Sequence, residues 1–500
     1  MSRPTFLMTL CFLVAGEAPS WAQSTPEPVE PAAAARYVWQ AVAPEAGGFS
    51  VEQAVASAQQ AAPSLGAADA DVEATVARNR QTLSRYVPRL GARASYLRKN
   101  PLTFDFSGGA ASVGAANQGT LGVGACPPGT PGSCVVDSSG VPVNALVPPP
   151  LAIPVDNYSL QLDLSVPFSD YVLALNPAVR AARADETAAR LRRAAEADNV
   201  AVNARIAYYD WARARAQVAL AQRSVASAQA RQADARLGLA AGTITKADAL
   251  GIENLVTTSR VALAQAESFL RLAGQNLLVT TQWKGALVPG EDLSLPTPAV
   301  HTLGRLEDLI KKAQEERLEM RALRTSAAAA HHAETGALSG LFPRVDGVAN
   351  VTHANPNQAF FPPSPVWNTS WYVGVNVSWQ LDLFLNARAQ RRELDATTKT
   401  LLAQHEAMAR AIEMEVRSAW EEWQRAEAST ELAASEIAAT LAMYEQRTAL
   451  FRGGEATSTD VTEAEVQRQN AALRLVNAAI DKRIALARLR RAAALDARQE

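Results

Sequence analysis

The chain has 500 residues, a formal net charge of −2, 48% hydrophobic and 20% charged residues. That balance offers no basic field for nucleic acid and no acidic tail. After the first residues no stretch supplies the roughly 20 consecutive apolar residues of a membrane-spanning helix, so any entry into a membrane has to be made by strands.

Residues 1–22 read as a signal peptide: Arg3, an apolar run from Phe6 to Ala15, then Ser20-Trp21-Ala22 with small residues for cleavage. Cys11 lies inside that apolar run, so no lipid anchor is expected at the mature end near Gln23. Residues 23–50 form an N-terminal segment ahead of an internal repeat. The segment 51–90 aligns without gaps on 306–345 at an offset of 255 residues, placing Glu52 on Glu307 and Pro88-Arg89 on Pro343-Arg344. Further on the offset falls to 212, so that "AYYDW" (207–211) meets "AWEEW" (419–423). The first copy therefore spans 51–283 and the second 306–495, joined by a linker at 284–305 and followed by a tail at 496–500. The shift in offset places extra chain in the first copy at 99–156, a Gly-, Ala-, Pro- and Ser-rich outer loop. It holds Cys126 and Cys134, which in an exported protein read as a small disulfide, two free thiols being the alternative.

Each copy carries two strand-like segments. In 157–167, Tyr158, Leu160, Leu162, Leu164 and Val166 alternate with polar residues, and in 369–381 Trp371, Val373, Val375, Val377 and Trp379 do the same. Weaker strands precede them at 89–98 and 344–353. Four strands among hundreds of helical residues neither make a sandwich core nor close a barrel, so the chain must oligomerise to complete its sheet.

After the second strand of each copy comes a long Ala-, Arg- and Glu-rich helix, 178–237 and 390–450, at roughly 1.5 Å per residue about 90–100 Å long. The seam Ile412, Val416, Ala419, Trp423, Ala426 steps 4-3-4-3, and Val200, Ala204, Ala207, Trp211, Ala214 repeat it. Both helices stop at glycine-marked breaks, Gly242 and Gly454, which suit left-handed C-terminal caps before a returning helix. Each hairpin tip then lies away from its strands. No metal site, cofactor motif or catalytic constellation emerges. His331-His332 lacks a companion at H-E-x-x-H spacing, and neither a nucleophile elbow nor a phosphate loop occurs.

This duplicated order, with the "YVPRL" and "LFPRV" strand starts and the Gly-x5-Asp tips Gly242 to Asp248 and Gly454 to Asp460, resembles the TolC-like outer membrane efflux protein family over about 51–495. The resemblance implies a mainly α protein with a membrane β-barrel: a homotrimer whose 12-stranded barrel in the outer membrane is continued by a 12-helix α-barrel into the periplasm. It implies a non-enzymatic exit channel of a tripartite efflux or type I secretion system. Its partners would be outer-membrane lipid, a periplasmic adaptor protein and an inner-membrane RND or ABC transporter. The tips, with Leu239, Gly242, Gly454 and Glu455, would dock the adaptor. Asp460 and Glu463, three apart on one helical face, would ring the narrowest point with Asp248 close by and favour cations; the alternative is that they are ordinary helix-start acids. Some family members carry a gate arginine where this chain has Ala456. A second reading, a trimeric coiled-coil surface protein such as an adhesin stalk, would need strands at one end of the chain only.

Overall fold

The computed structural model describes residues 36–495 except 102, 105–111, 114–121, 127, 130, 143–144, 147–150, 153, 243, 294, 296, 298–303 and 454. The signal peptide, most of the N-terminal segment, part of the linker, Gly454 and the tail 496–500 lie outside the described residues.

In chain order come α1 (Val51–Ala61), α2 (Pro63–Ser84), β1 (Arg89–Arg98), β2 (Asp156–Val166), α3 (Asn176–Ala240) and α4 (Lys246–Thr281). The same order then returns as α5 (Leu306–Glu316), α6 (Leu318–Ala337), β3 (Arg344–Asn355), β4 (Asn368–Ser378), α7 (Leu381–Arg452) and α8 (Ser458–Ala492). Helix α1 starts at a reciprocal cap: Ser50 Oγ accepts from Gln53 N at 3.2 Å and Gln53 Oε1 from Ser50 N at 3.0 Å.

The chain divides into two compact units. One comprises the described parts of Met1–Leu65, Glu196–Arg317 and Arg410–Glu500. Its core gathers Phe49, Tyr208, Trp211, Leu277, Ile437, Val476 and Ile480. The heptad seams are buried here: Ile412, Val416 and Trp423 are at most 1% exposed, and Ala204, Trp211 and Ala214 at most 3%. The linker is strapped to this core. Phe49 N–H donates to Val288 O at 2.7 Å, the Phe49 ring stacks on Trp283 at 4.5 Å, and the Arg483 guanidinium donates to Leu295 O at 2.7 Å.

The other unit, Gly66–Ala195 with Leu318–Ala409, holds a four-stranded antiparallel sheet in the order β1-β2-β3-β4. Strands β2 and β3 pair although about 180 residues separate them, Leu162 opposite Val351 and Leu164 opposite Ala349. The outer edges of β1 and β4 have no strand beside them among the described residues.

Element ends differ from expectation in ways the chemistry explains. Strand β2 closes at Val166, not 167, because Pro167 has no N–H for the ladder. Strand β3 runs on to Asn355, since His353 and Ala354 pair with Thr369 and Asn368. Strand β4 ends at Ser378, not 381, and α7 starts at Leu381, nine residues before the expected 390. The alternating Leu381, Leu383, Leu385 extends a strand pattern on paper, yet 381 and 385 also share one face of a helix. No helix among the described residues is long and apolar enough to cross a membrane.

Candidate functional site

The sheet is inside out relative to that of a water-soluble protein. Register places Leu90, Leu164, Ala349 and Val373 in one cross-strand row and Ala92, Leu162, Val351 and Trp371 in the next. These apolar side chains are the exposed ones: Leu90 is 74% exposed, Leu162 52%, Trp371 73% and Val373 73%. The opposite face is polar and more covered. There Asn350, 9% exposed, donates to Asp163 at 2.7 Å, Thr352 donates to Asn350 at 2.8 Å, and the Ser95 and Ser159 hydroxyls meet at 2.8 Å. Exposed apolar area on this scale is unfavourable in water and favourable against lipid.

Aromatic side chains mark both ends of the apolar face. At the loop end Tyr96 packs on Tyr158 at 4.9 Å, Tyr158 lies 6.2 Å from Trp367, and Trp367 stacks on His353 at 4.9 Å. At the helix end the Phe168 ring covers Gly347, where an added Cβ would lie 2.6 Å from the ring, and Trp379 is 60% exposed. Such belts suit the two water–membrane interfaces. In the outer loop Cys126 and Cys134 are joined as a disulfide, closing a hairpin in which Gly124 pairs with Cys134.

The other unit carries both hairpin turns. Gly242 has φ +70°, the left-handed conformation that a glycine adopts without steric cost, and its N–H donates to Leu239 O at 3.1 Å. Leu239 is 42% exposed. At the second turn the Glu455 N–H donates to Leu450 O at 2.9 Å, and the Glu455 side chain is exposed. Thr457 caps α8: its Oγ1 accepts from Asp460 N at 3.2 Å, while Asp460 Oδ2 accepts from Thr457 N at 2.8 Å and from its hydroxyl at 2.6 Å. These bonds from Thr457 hold the Asp460 carboxyl below the usual carboxylate range. Asp460 thus closes a reciprocal cap with Thr457 at the start of α8, while Glu463 is exposed. Asp248 lies in the first turn of α4. Ala456 is half-buried.

Sequence reasoning missed a buried polar knot two turns into α8. The Glu465 carboxylate accepts from Arg468 at 2.8 and 2.9 Å and from Gln469 at 2.8 Å, and Gln469 in turn accepts from Ser224 of α3 at 2.7 Å. The Arg468 guanidinium lies over the Tyr444 ring of α7 at 5.3 Å. Burial raises the Glu465 pKa, but the bonds from Arg468 and Gln469 outweigh it and leave the group below its ordinary value. Spacing alone offered a signal, since Glu465 and Arg468 are three apart on a helix.

The sheet thus turns its apolar side outward, and neither edge has a strand beside it among the described residues. Residues 309–495 match the outer membrane efflux protein family. The fold superposes on the outer-membrane channel OprN with TM-score 0.66 and 17% identity, covering 89% of each chain. It superposes on VceC of Vibrio cholerae with TM-score 0.63 and 18% identity, over 89% of this chain and 95% of that one. For the MtrE outer membrane channel of Neisseria gonorrhoeae the values are 0.66 and 15%, over 89% and 88%. No curated protein matches the sequence. The adhesin-stalk reading finds no support, because strands interrupt the helices in both halves of the chain.

Proposed function

We propose that the chain is the outer-membrane exit channel of a tripartite efflux or type I secretion system, a passive conduit with no chemistry of its own. The observation that carries this reading is the four-stranded sheet, apolar on its exposed face, polar on its covered face and, among the described residues, unpaired at both edges. Open edges in lipid leave backbone N–H and C=O groups unsatisfied, at several kcal/mol each, so neighbouring copies must pair with them. Three copies of the duplicated protomer give a twelve-stranded barrel in the outer membrane and a twelve-helix barrel in the periplasm. A periplasmic adaptor docks at the turns around Leu239, Gly242, Gly454 and Glu455, and an RND or ABC transporter supplies the energy. Glu463, exposed beside the capping Asp460, and Asp248 set the charge of the narrow end. The 99–156 loop, tied by Cys126–Cys134, faces the cell exterior.

Fractionation tests the reading. The full-length protein should sediment with outer membranes and leave detergent extracts as a trimer; a water-soluble monomer after detergent-free lysis would refute it.

A further inference from the structure

The unit that carries the sheet also holds a cavity of about 610 Å³ just beyond the strands' helix-side ends. All four sheet-to-helix connections contribute to it. Arg85 lies four residues before β1, Ala174 eight after β2, Gly340 four before β3 and Asn386 eight after β4. Ala178, Ala182, Ala333 and Gly336 give it a lining of small residues, and Arg78, Arg85, Thr82, Asn386 and Gln390 line it as well. The chain enters the cavity lining at Ala174 and Ala178 through a widened helical turn at Tyr171–Leu175, a local irregularity of a kind frequent at functional sites.

The cavity opens on the side away from the apolar face. Phe168, whose ring lies over Gly347, and Val172, 71% exposed, share one side of the helix entering α3. Ala174, Ala178 and Asp185 follow at helical spacing on the opposite side. Helix α7 repeats the arrangement, with Leu385 66% exposed and Gln390 and Leu394 turned roughly half a turn from it, into the cavity. The cavity therefore shares its side with the polar face of the sheet, which is the duct interior if the proposed function holds.

Its charges are unbalanced. Asp185 is the one carboxylate lining the cavity among the described residues; partial burial raises its pKa, against the pull of Arg192 and Arg78. Arg85 forms no ion pair among the described residues and is exposed. The exposed Arg85 guanidinium and the amides of Asn386 and Gln390 line the same partly apolar cavity, a set of donors that matches an anionic group attached to a small apolar body. We propose that this cavity is a binding site for small organic anions, carboxylates or sulfonates, inside the duct next to the barrel, with Arg85 as the main anion contact and the lining alanines holding the apolar body. This rests on the conduit reading and deepens it by naming a substrate class.

Fluorescence anisotropy of fluorescein, a dianion at mildly alkaline pH, with the purified full-length trimer in detergent tests the proposal. Wild type should bind saturably. Arg85→Glu and the cavity-filling Ala182→Leu should each weaken binding about tenfold or more, with trimers intact by size-exclusion chromatography, and cationic rhodamine 6G should bind no better than to empty micelles. Equal fluorescein binding by wild type and Arg85→Glu, or rhodamine 6G binding as tight as fluorescein, would overturn it. Loss of the anion site in a protein that remains an outer-membrane trimer refutes this inference alone, whereas a wild-type protein that is neither trimeric nor in the outer membrane refutes the conduit.

Discussion

The hairpins α3–α4 and α7–α8 occupy equivalent places in the two halves of the chain, yet they are fastened by different chemistry. In the second, acids of α7 meet bases of α8 in an antiparallel ladder: Glu415 with Arg491, Glu422 with Arg488 at 3.0 Å, Glu427 with Lys482 at 3.1 Å and Glu436 with Arg474 at 2.5 Å. Advancing α8 by one turn would set Ala492, Leu486 and Ala478 before Glu422, Glu427 and Glu436, so the ladder fixes register. In the first, α3 carries ion pairs that reach other elements, Arg213 to Asp481 of α8 and Arg215 to Glu45. Helix α4 instead leaves Val261, Leu272 and Val279 between 53% and 68% exposed, at heptad-like spacing. The second hairpin leaves apolar side chains exposed as well, Met414 at 65%, Leu432 at 69% and Val466 at 44%. Both hairpins present apolar surface that a neighbouring copy can cover, and they differ in the ladder of ion pairs that joins the second.

The largest effect should come from what the hairpins share. Trp211→Ala and Trp423→Ala each empty a buried seam position, 3% and 0% exposed, and should cost about 3–5 kcal/mol in denaturant unfolding of the solubilised protein. A much smaller loss at Trp211 would mean that the first seam is slack until a second copy covers it. Next, Leu272→Glu should weaken trimerisation by about 2 kcal/mol per protomer, read from dissociation on dilution in detergent, because it buries a charge against a neighbour; an unchanged trimer would leave α4 facing solvent.

Within the ladder the rungs are unequal. Lys482 and Glu427 are 15% and 25% exposed against 55% and 39% for Arg474 and Glu436. Glu427→Ala should therefore cost about 1–3 kcal/mol, and Glu436→Ala about 0.2–1 kcal/mol, most of the latter disappearing in high salt. Equal costs would show that burial does not grade the rungs. The smallest effect is confined to acid. Because the folded Glu465 pKa lies below its unfolded value, its contribution is complete above the unfolded pKa near 4.5 and is lost as pH falls through the folded value. Glu465→Gln should flatten that part of the stability-against-pH curve, and an unaltered slope would assign it to other carboxylates.

The sheet was legible in the sequence because strand periodicity writes its two faces directly, as at Tyr158 to Val166. The seams were legible for the same reason at helical period. The start of α7 was not, since Leu381 to Leu385 satisfies both periods. The knot at Glu465 and the cavity were illegible for another reason: Ser224 joins Gln469 across 245 residues, and the cavity collects side chains from Thr75 to Leu394. Packing brings such residues together, and no local pattern records it.

The most direct test of the account concerns the two faces of β4. Single cysteines placed in turn at Tyr372, Val373, Gly374, Val375 and Asn376, spin-labelled and reconstituted in bilayers, report access to oxygen, which concentrates in lipid, and to a water-soluble nickel chelate. The account predicts strict alternation, with Val373 and Val375 relaxed by oxygen and Tyr372, Gly374 and Asn376 by the chelate. Uniform access to the chelate along the strand, or the inverse alternation, would contradict a sheet whose apolar face meets the membrane.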